Sequence, residues 1–306
     1  MRTLEAKTRL AITHILYATD FSSCSDAALP YARDIARLYG STVFVTHVAP
    51  SLGPEAAFGM DPVQMERRER SELANIGKRF NEVDHRAILL EGEVWPELAK
   101  VIKREEIDLI VVGTHGRTGL ERIALGSVAE EIFRQARCPV LTVGPNAVRH
   151  PLSHHVQWMN GHKPEIESNI KTILYATDFS KESLAAAPFA LSLAQEHGAK
   201  LVLLHTVEAS EGEYDKDPAR ILSSLVAYLE QLVPEDAGLW CQPEFMVDFG
   251  SPSGRILEVS DEMRADLIVM GVRSAKGHVV TATHIAPATA HTVVAHARCP
   301  VLTVLG

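Results

Sequence analysis

The sequence predicts an α/β fold built twice: two tandem doubly wound domains, each with a five-stranded parallel sheet. Three observations predict it. The chain repeats itself, short apolar runs alternate with amphipathic stretches, and 306 residues is roughly twice a typical ~150-residue domain.

The repeat organises everything else. Residues Ile15 to Ser22 (Ile-Leu-Tyr-Ala-Thr-Asp-Phe-Ser) return unchanged 158 positions later as Ile173 to Ser180. The same spacing relates Pro30 to Pro188, Gly40 to Gly198, His47 to His205, Gly92 to Gly250, Asp108 to Asp266 and Gly113 to Gly271. Near each end, Ala136 to Val143 returns as Ala297 to Val304, now 161 positions on. Three residues are therefore inserted between Gly271 and Ala297, in the segment that follows the fourth strand.

Within the first repeat, His14 to Ala18 is a buried strand that ends in polar Thr19 and Asp20 and leads into a helix around Ala27 to Tyr39. Pro30, and Pro188 in the second repeat, fall inside that helix, so it is expected to start late or bend. Thr42 to Val48 is the second strand, Pro62 to Phe80 a charged amphipathic helix, and Ala87 to Leu90 the third strand. Pro96 suits the first turn of a helix to about Arg104, with Leu98, Val101 and Ile102 on one face. Ile107 to Val112 is the fourth strand, Ser127 to Ala136 the last helix and Val140 to Val143 the last strand. Strands alternating with helices give a parallel sheet covered on both faces, whose ligands lie beyond the strands' carboxyl ends.

The expected domains are residues 1–145 and 170–306, with 146–169 as linker. The linker is rich in His, Pro, Ser and Asn and carries His150, His154, His155 and His162. Pro151 interrupts any helix that would put His150 and His154 on one face, so the linker is not read as a zinc site.

A formal net charge of −9 argues against a general nucleic-acid binder. The first ten residues lack the apolar core of a signal peptide, and no run approaches the ~20 apolar residues of a membrane span. A cytoplasmic location is expected. Cys24, Cys138, Cys241 and Cys299 show no CxxC spacing and read as inert thiols.

The chemistry-bearing segment follows the fourth strand. Gly113, Gly116 and Gly126 stand in the pattern Gly, two residues, Gly, nine residues, Gly, and Ser127 comes next. Glycines let the backbone approach a ligand closely, and the helix starting at Ser127 presents unpaired N–H groups to an anion. Ser127 adds a hydroxyl, Arg117 brings a positive charge to the loop, and His115 lies between the first two glycines.

This spacing is similar to that of ATP-binding members of the universal stress protein family, which carry Gly-x2-Gly-x9-Gly-Ser/Thr after the fourth strand. The opening Ile-Leu-Tyr-Ala-Thr-Asp-Phe-Ser and closing Arg-Cys-Pro-Val extend the resemblance over nearly the whole chain. It implies a Rossmann-like, adenine-nucleotide-binding fold, with ATP as cofactor and Mg²⁺ as its companion ion. It further implies that Ala18, Thr19 and Asp20 contact the nucleoside and that Val48 lines the adenine pocket. The phosphates would fall to Gly113, His115, Gly116, Arg117, Gly126, Ser127, Val128 and Ala129. A carboxylate at a strand end suits ribose hydroxyls; the alternative is that Asp20 merely caps the next helix.

The second half departs from the pattern. Ser274 replaces the second glycine, and counting back from Ala297 sets Pro287 and Ala288 where Gly126 and Ser127 stand. Proline has no N–H, so this phosphate site is expected to be defective. Asp178 and Thr177 persist, with Arg273, Lys276 and His278 in the altered loop.

The resemblance implies a tandem universal stress protein that binds ATP in its N-terminal domain and acts in stress response or signalling. Its partners are an adenine nucleotide and an unidentified protein. Its last strands would pair within the chain as a pseudo-dimer, with a homodimer of chains left open. Two alternatives stand beside this reading: a slow ATPase or phosphotransferase, for which no catalytic set is evident, and a nucleotide-independent scaffold. A receiver domain also places aspartates at strand ends, but it expects an acidic pair after the first strand, where this chain has Thr19-Asp20.

Overall fold

The structure is a computed structural model; it describes residues 10–51, 61–114, 126–144, 146–147, 170–208, 218–273 and 289–306. The expected linker beyond residue 147, with its four histidines, and the second-half loop at 274–288 lie outside the described residues. Two compact units divide the chain, one of them Ala11–Pro145.

In that unit the elements run β1 (His14–Ala18), α1 (Ser23–Tyr39), β2 (Thr42–Ala49), α2 (Pro62–Gly77), β3 (His85–Glu91), α3 (Val94–Arg104), β4 (Leu109–Gly113), α4 (Ser127–Gln135) and β5 (Val140–Val143). The strands lie in the order β3-β2-β1-β4-β5, every pairing parallel. The second unit repeats the plan with β6 (Thr172–Ala176), α5 (Lys181–Leu184), α6 (Ala187–His197), β7 (Lys200–Val207), α7 (Pro218–Glu230), β8 (Gln242–Phe249), α8 (Pro252–Glu262), β9 (Leu267–Val272), α9 (Thr289–His296) and β10 (Val301–Leu305). Its order is β8-β7-β6-β9-β10, again parallel. Among the described residues no helix is long and apolar enough to cross a membrane.

The central strands are buried on both faces, as their unbroken apolar runs require: Ile15, Leu16 and Tyr17 are all fully buried. On one face Leu16, Phe44, Ile110 and Val112 pack against Leu98 and Val101 of α3 and Ile132 of α4. The start of β1 is fixed by Asp108, whose Oδ2 accepts from the Thr13 N–H (2.7 Å), the Thr13 hydroxyl (2.7 Å) and the His14 N–H (2.9 Å). Asp266 does the same for the Lys171 and Thr172 N–H groups.

The first helix corrects the expectation drawn from proline. α1 starts early, at Ser23, and is continuous through Pro30. Ser22 caps it, its side chain accepting from the Ser25 N–H, and Ala28, Leu29, Tyr31 and Ala32 are buried around the proline. In the second half the same stretch divides into α5 and α6, and Pro188 stands in the first turn of α6, where its missing N–H costs nothing. One sequence feature thus has two outcomes: the matching stretches Ala27 to Pro30 and Ala185 to Pro188 are continuous helix in the first half and divided in the second.

Candidate functional site

In both halves the sheet order reverses beside the first strand, between β1 and β4 and between β6 and β9. Such a reversal opens a crevice at the carboxyl ends of the strands. In the first half three pieces of chain meet there: the turn after β1, the end of β4 and the start of α4.

The turn after β1 is tightly held. The Thr19 N–H donates to the Thr46 carbonyl (3.0 Å), the Phe21 N–H to the Thr19 hydroxyl (3.1 Å) and the Ser22 N–H to Asp20 Oδ1 (3.1 Å). Phe21 adopts φ 63°, a left-handed conformation that a bulky residue holds only at a cost of about 1–3 kcal/mol. Its ring stacks on His47, centroids 4.1 Å apart. The helix cap is Ser22, not Asp20; the Asp20 carboxylate holds the turn just before it through the Ser22 N–H. Tyr17 anchors the turn from below, its hydroxyl donating to the Ser25 carbonyl (2.7 Å); burial first of all pushes that phenol well above its ordinary pKa.

Gly113 closes β4 against the start of α1. A Cβ there would stand 2.6 Å from the Cys24 carbonyl oxygen and 2.9 Å from the Ser25 nitrogen. The glycine is therefore required by the scaffold itself, whatever ligand is present. The chain then returns at Gly126, whose N–H donates to the Thr114 carbonyl (2.7 Å). Gly126 takes ordinary extended angles, φ −62° and ψ 149°, and among the described residues no side chain caps the helix it begins. The first turn of α4 thus keeps the orphan N–H groups that every helix start carries.

These pieces enclose a cleft of about 240 Å³. Ala18, Thr19, Asp20, Val48, Gly113, Gly126, Ser127, Val128 and Ala129 all line it. His115, Gly116 and Arg117 lie outside the described residues. The sequence reading missed Ser25, Thr46, His47, Val94, Leu98, Val112 and Thr114, which line it as well. Val48, Val94, Leu98 and Val112 give the cleft apolar lining beside the Asp20 carboxylate and the start of α4. Among the described residues there is no cluster of three His, Cys, Asp or Glu side chains suited to a metal ion.

The second half reproduces the turn. Phe179 has φ 60°, its ring stacks on His205 at 4.4 Å, and His205 Nδ1 lies 2.8 Å from the Thr177 carbonyl oxygen. Asp178 accepts from the N–H and the hydroxyl of Ser180. Burial by itself would raise the Asp178 carboxyl, but hydrogen bonds from Ser180 and Ser183 outweigh it and hold the group below its ordinary pKa. The two halves differ at the carbonyl that follows the conserved glycine position. Thr114 O receives Gly126 N–H, whereas Val272 O receives Gly306 N–H (3.2 Å). Arg273, beyond Val272, has its guanidinium 3.9 Å from Glu182.

Five parallel strands in this order, with a polar turn after the first, define a Rossmann-like α/β domain present twice; the first half adds a glycine-started helix after the fourth strand. The universal stress protein family model matches residues 11–144 and again 169–304. The chain belongs to the universal stress protein family and carries two of its domains in tandem. Universal stress protein MJ0531 of Methanocaldococcus jannaschii is 36% identical over 136 residues, covering 42% of this chain and 80% of that protein. Universal stress protein A homolog 1 of Coxiella burnetii is 34% identical over 141 residues, covering 42% and 94% respectively. A universal stress protein from Archaeoglobus fulgidus has a crystal structure similar over 97% of this chain and 99% of its own, with a TM-score of 0.68. At 20% identity that likeness establishes the fold alone.

Proposed function

We propose that the first half binds an adenine nucleotide, ATP, in the cleft between β1 and β4, and that nucleotide occupancy makes the tandem a stress-response or signalling module. The observation that carries this reading is that the helix start Gly126–Ser127 and the Asp20 carboxylate line one cleft together with apolar Val48, Val94, Leu98 and Val112. First-turn amides favour a phosphate through their free N–H groups and the helix dipole, worth about 0.3–1 kcal/mol for the dipole term. Asp20 accepts from ribose hydroxyls, and Val48, Val94 and Leu98 give the base an apolar surface.

ATP, when bound, supplies the triphosphate that α4 holds; its Mg²⁺ would be carried chiefly by the phosphates and water, as that ion prefers. Asp20 is the only carboxylate among the described residues lining the cleft. The domain limits 1–145 and 170–306, joined by 146–169, belong to the same reading, as does a pseudo-dimer of the two halves. In it the second half is a structural partner, a role supported by Ser274 and Pro287 standing, by sequence spacing, where the first half has Gly116 and Gly126.

The reading is tested by denaturing the purified protein and separating whatever nucleotide it releases, beside an Asp20→Ala variant. Adenine nucleotide released from the wild type at up to one per chain, and depleted in the variant, is expected. Wild type that both releases none and takes up none from added ATP leaves only the scaffold.

A further inference from the structure

We infer that Ser25 is a positioning residue for the cleft, one that joins the two ends of the turn carrying Asp20 and acts on the ligand through that carboxylate; this rests on the nucleotide reading above. Ser25 stands in the first turn of α1, lines the cleft and is 3% exposed. Its hydroxyl donates to the Ser22 carbonyl (2.9 Å) and lies 3.1 Å from the Thr19 hydroxyl. A carbonyl only accepts, so the Ser25 proton belongs to Ser22, and Thr19 is the donor in the hydroxyl pair. Thr19 in turn accepts from the Phe21 N–H (3.1 Å). The Ser25 N–H donates to the Ser22 hydroxyl (3.2 Å), and its carbonyl accepts from Tyr17 (2.7 Å).

These bonds form one chain around Asp20. Asp20 Oδ1 accepts from the Ser22 N–H, so the carboxylate follows Ser22, and the Ser25 hydroxyl ties Ser22 to Thr19, the residue before Asp20. Alanine at position 25 removes that joint while the direct bond between Asp20 and Ser22 and the Ser22 cap remain. The expected effect is a loosening of the carboxylate rather than its loss, felt at the groups Asp20 meets, the ribose hydroxyls. The second half supplies a matched control. Ser183 lies 2.9 Å from the Thr177 hydroxyl, donates its own hydroxyl to the Ser180 carbonyl (3.0 Å) and accepts from Tyr175, in a half whose loop motif is altered.

The test titrates ATP, and dideoxy-ATP lacking both ribose hydroxyls, into the wild type, Ser25→Ala and Ser183→Ala, with thermal stability measured beside each. The wild type is expected to prefer ATP by about tenfold or more. Ser25→Ala is expected to bind ATP about fivefold more weakly and the dideoxy analogue unchanged, and Ser183→Ala to lose comparable stability while binding both as the wild type does. Equal weakening of the two ligands in Ser25→Ala, or none, overturns the inference, as does an altered preference in Ser183→Ala. A wild type that binds both ligands alike also overturns it, since Asp20 then meets no ribose hydroxyl, while nucleotide binding stands. A wild type that binds neither overturns the nucleotide reading, and the inference with it. Should Ser25→Ala not fold, Ser25→Cys, of similar size and with a weaker donor, takes its place: a reduced preference for ATP upholds the positioning role, and an unchanged one ends it.

Discussion

Gly113 and Cys24 approach so closely that no side chain fits between them: a Cβ on the glycine would stand 2.6 Å from the Cys24 carbonyl oxygen. Gly271 has the same relation to Glu182, at 2.0 Å. The approach explains why both halves hold a glycine here although only the first continues the glycine pattern. Gly113→Ala and Gly271→Ala are each expected to cost about 1–3 kcal/mol in urea unfolding, since backbone must move. Gly126→Ala, at ordinary φ and ψ, is expected to cost no more than about 1 kcal/mol. Equal losses at all three positions would contradict this division between scaffold and loop.

Asp108 gathers three donors at the start of β1, and Asp266 two at the start of β6. Asp108→Ala leaves the Thr13 and His14 groups without that acceptor and is expected to lower stability by about 2 kcal/mol, exposure to water tempering the loss. Thr13→Val, which removes one bond of the three, is expected to cost about 1 kcal/mol or less. The denaturant midpoints of the two variants, at unchanged slope, read this directly.

His197 ends α6, and burial pushes its imidazole down to about 4. A neutral histidine in the fold that protonates near pH 6.5 when unfolded makes the unfolded state bind more protons between those values. Stability from this group is complete above about pH 6.5 and falls on acidification towards pH 4, by at most ~3 kcal/mol. His197→Gln removes the titration, so its stability is expected to fall less steeply than that of the wild type between pH 6.5 and 5. Parallel pH profiles would show that His197 protonates equally well in the folded protein.

Much of this architecture was legible because buried parallel strands read as unbroken apolar runs. His14–Ala18 and Val140–Val143 emerge at their observed limits. The start of α1 was hidden: Ser22-Ser23-Cys24-Ser25-Asp26 looks like a loop, and only the Ser22 cap makes it helical. The end of α2 was overrun, because Lys78–Phe80 tightens into a 3₁₀ turn while keeping Phe80 buried. At the cleft, glycine spacing and strand-end polarity pointed to Asp20, Gly126 and Ser127. Val94 and Leu98 were missed because the apolar face of α3 reads wholly as core, yet its first turns line the cleft as well. His47 was missed because a histidine in a strand of alternating pattern gives no sign of what its ring stacks on.

One local change would be enough to separate fold from site in the second half. Gly126 at φ −62° already has the angle that proline requires, so a proline leaves α4 intact and removes only the N–H that meets Thr114 O. Sequence spacing sets Pro287 at the corresponding place in the second half.

A calorimetric titration with ATP and Mg²⁺, comparing wild type with Gly126→Pro and Asp178→Ala, bears on the central claim most directly. One site per chain is expected, weakened at least tenfold by Gly126→Pro and unchanged by Asp178→Ala. No heat of binding in nucleotide-free wild type, or a second site lost with Asp178, would contradict the account.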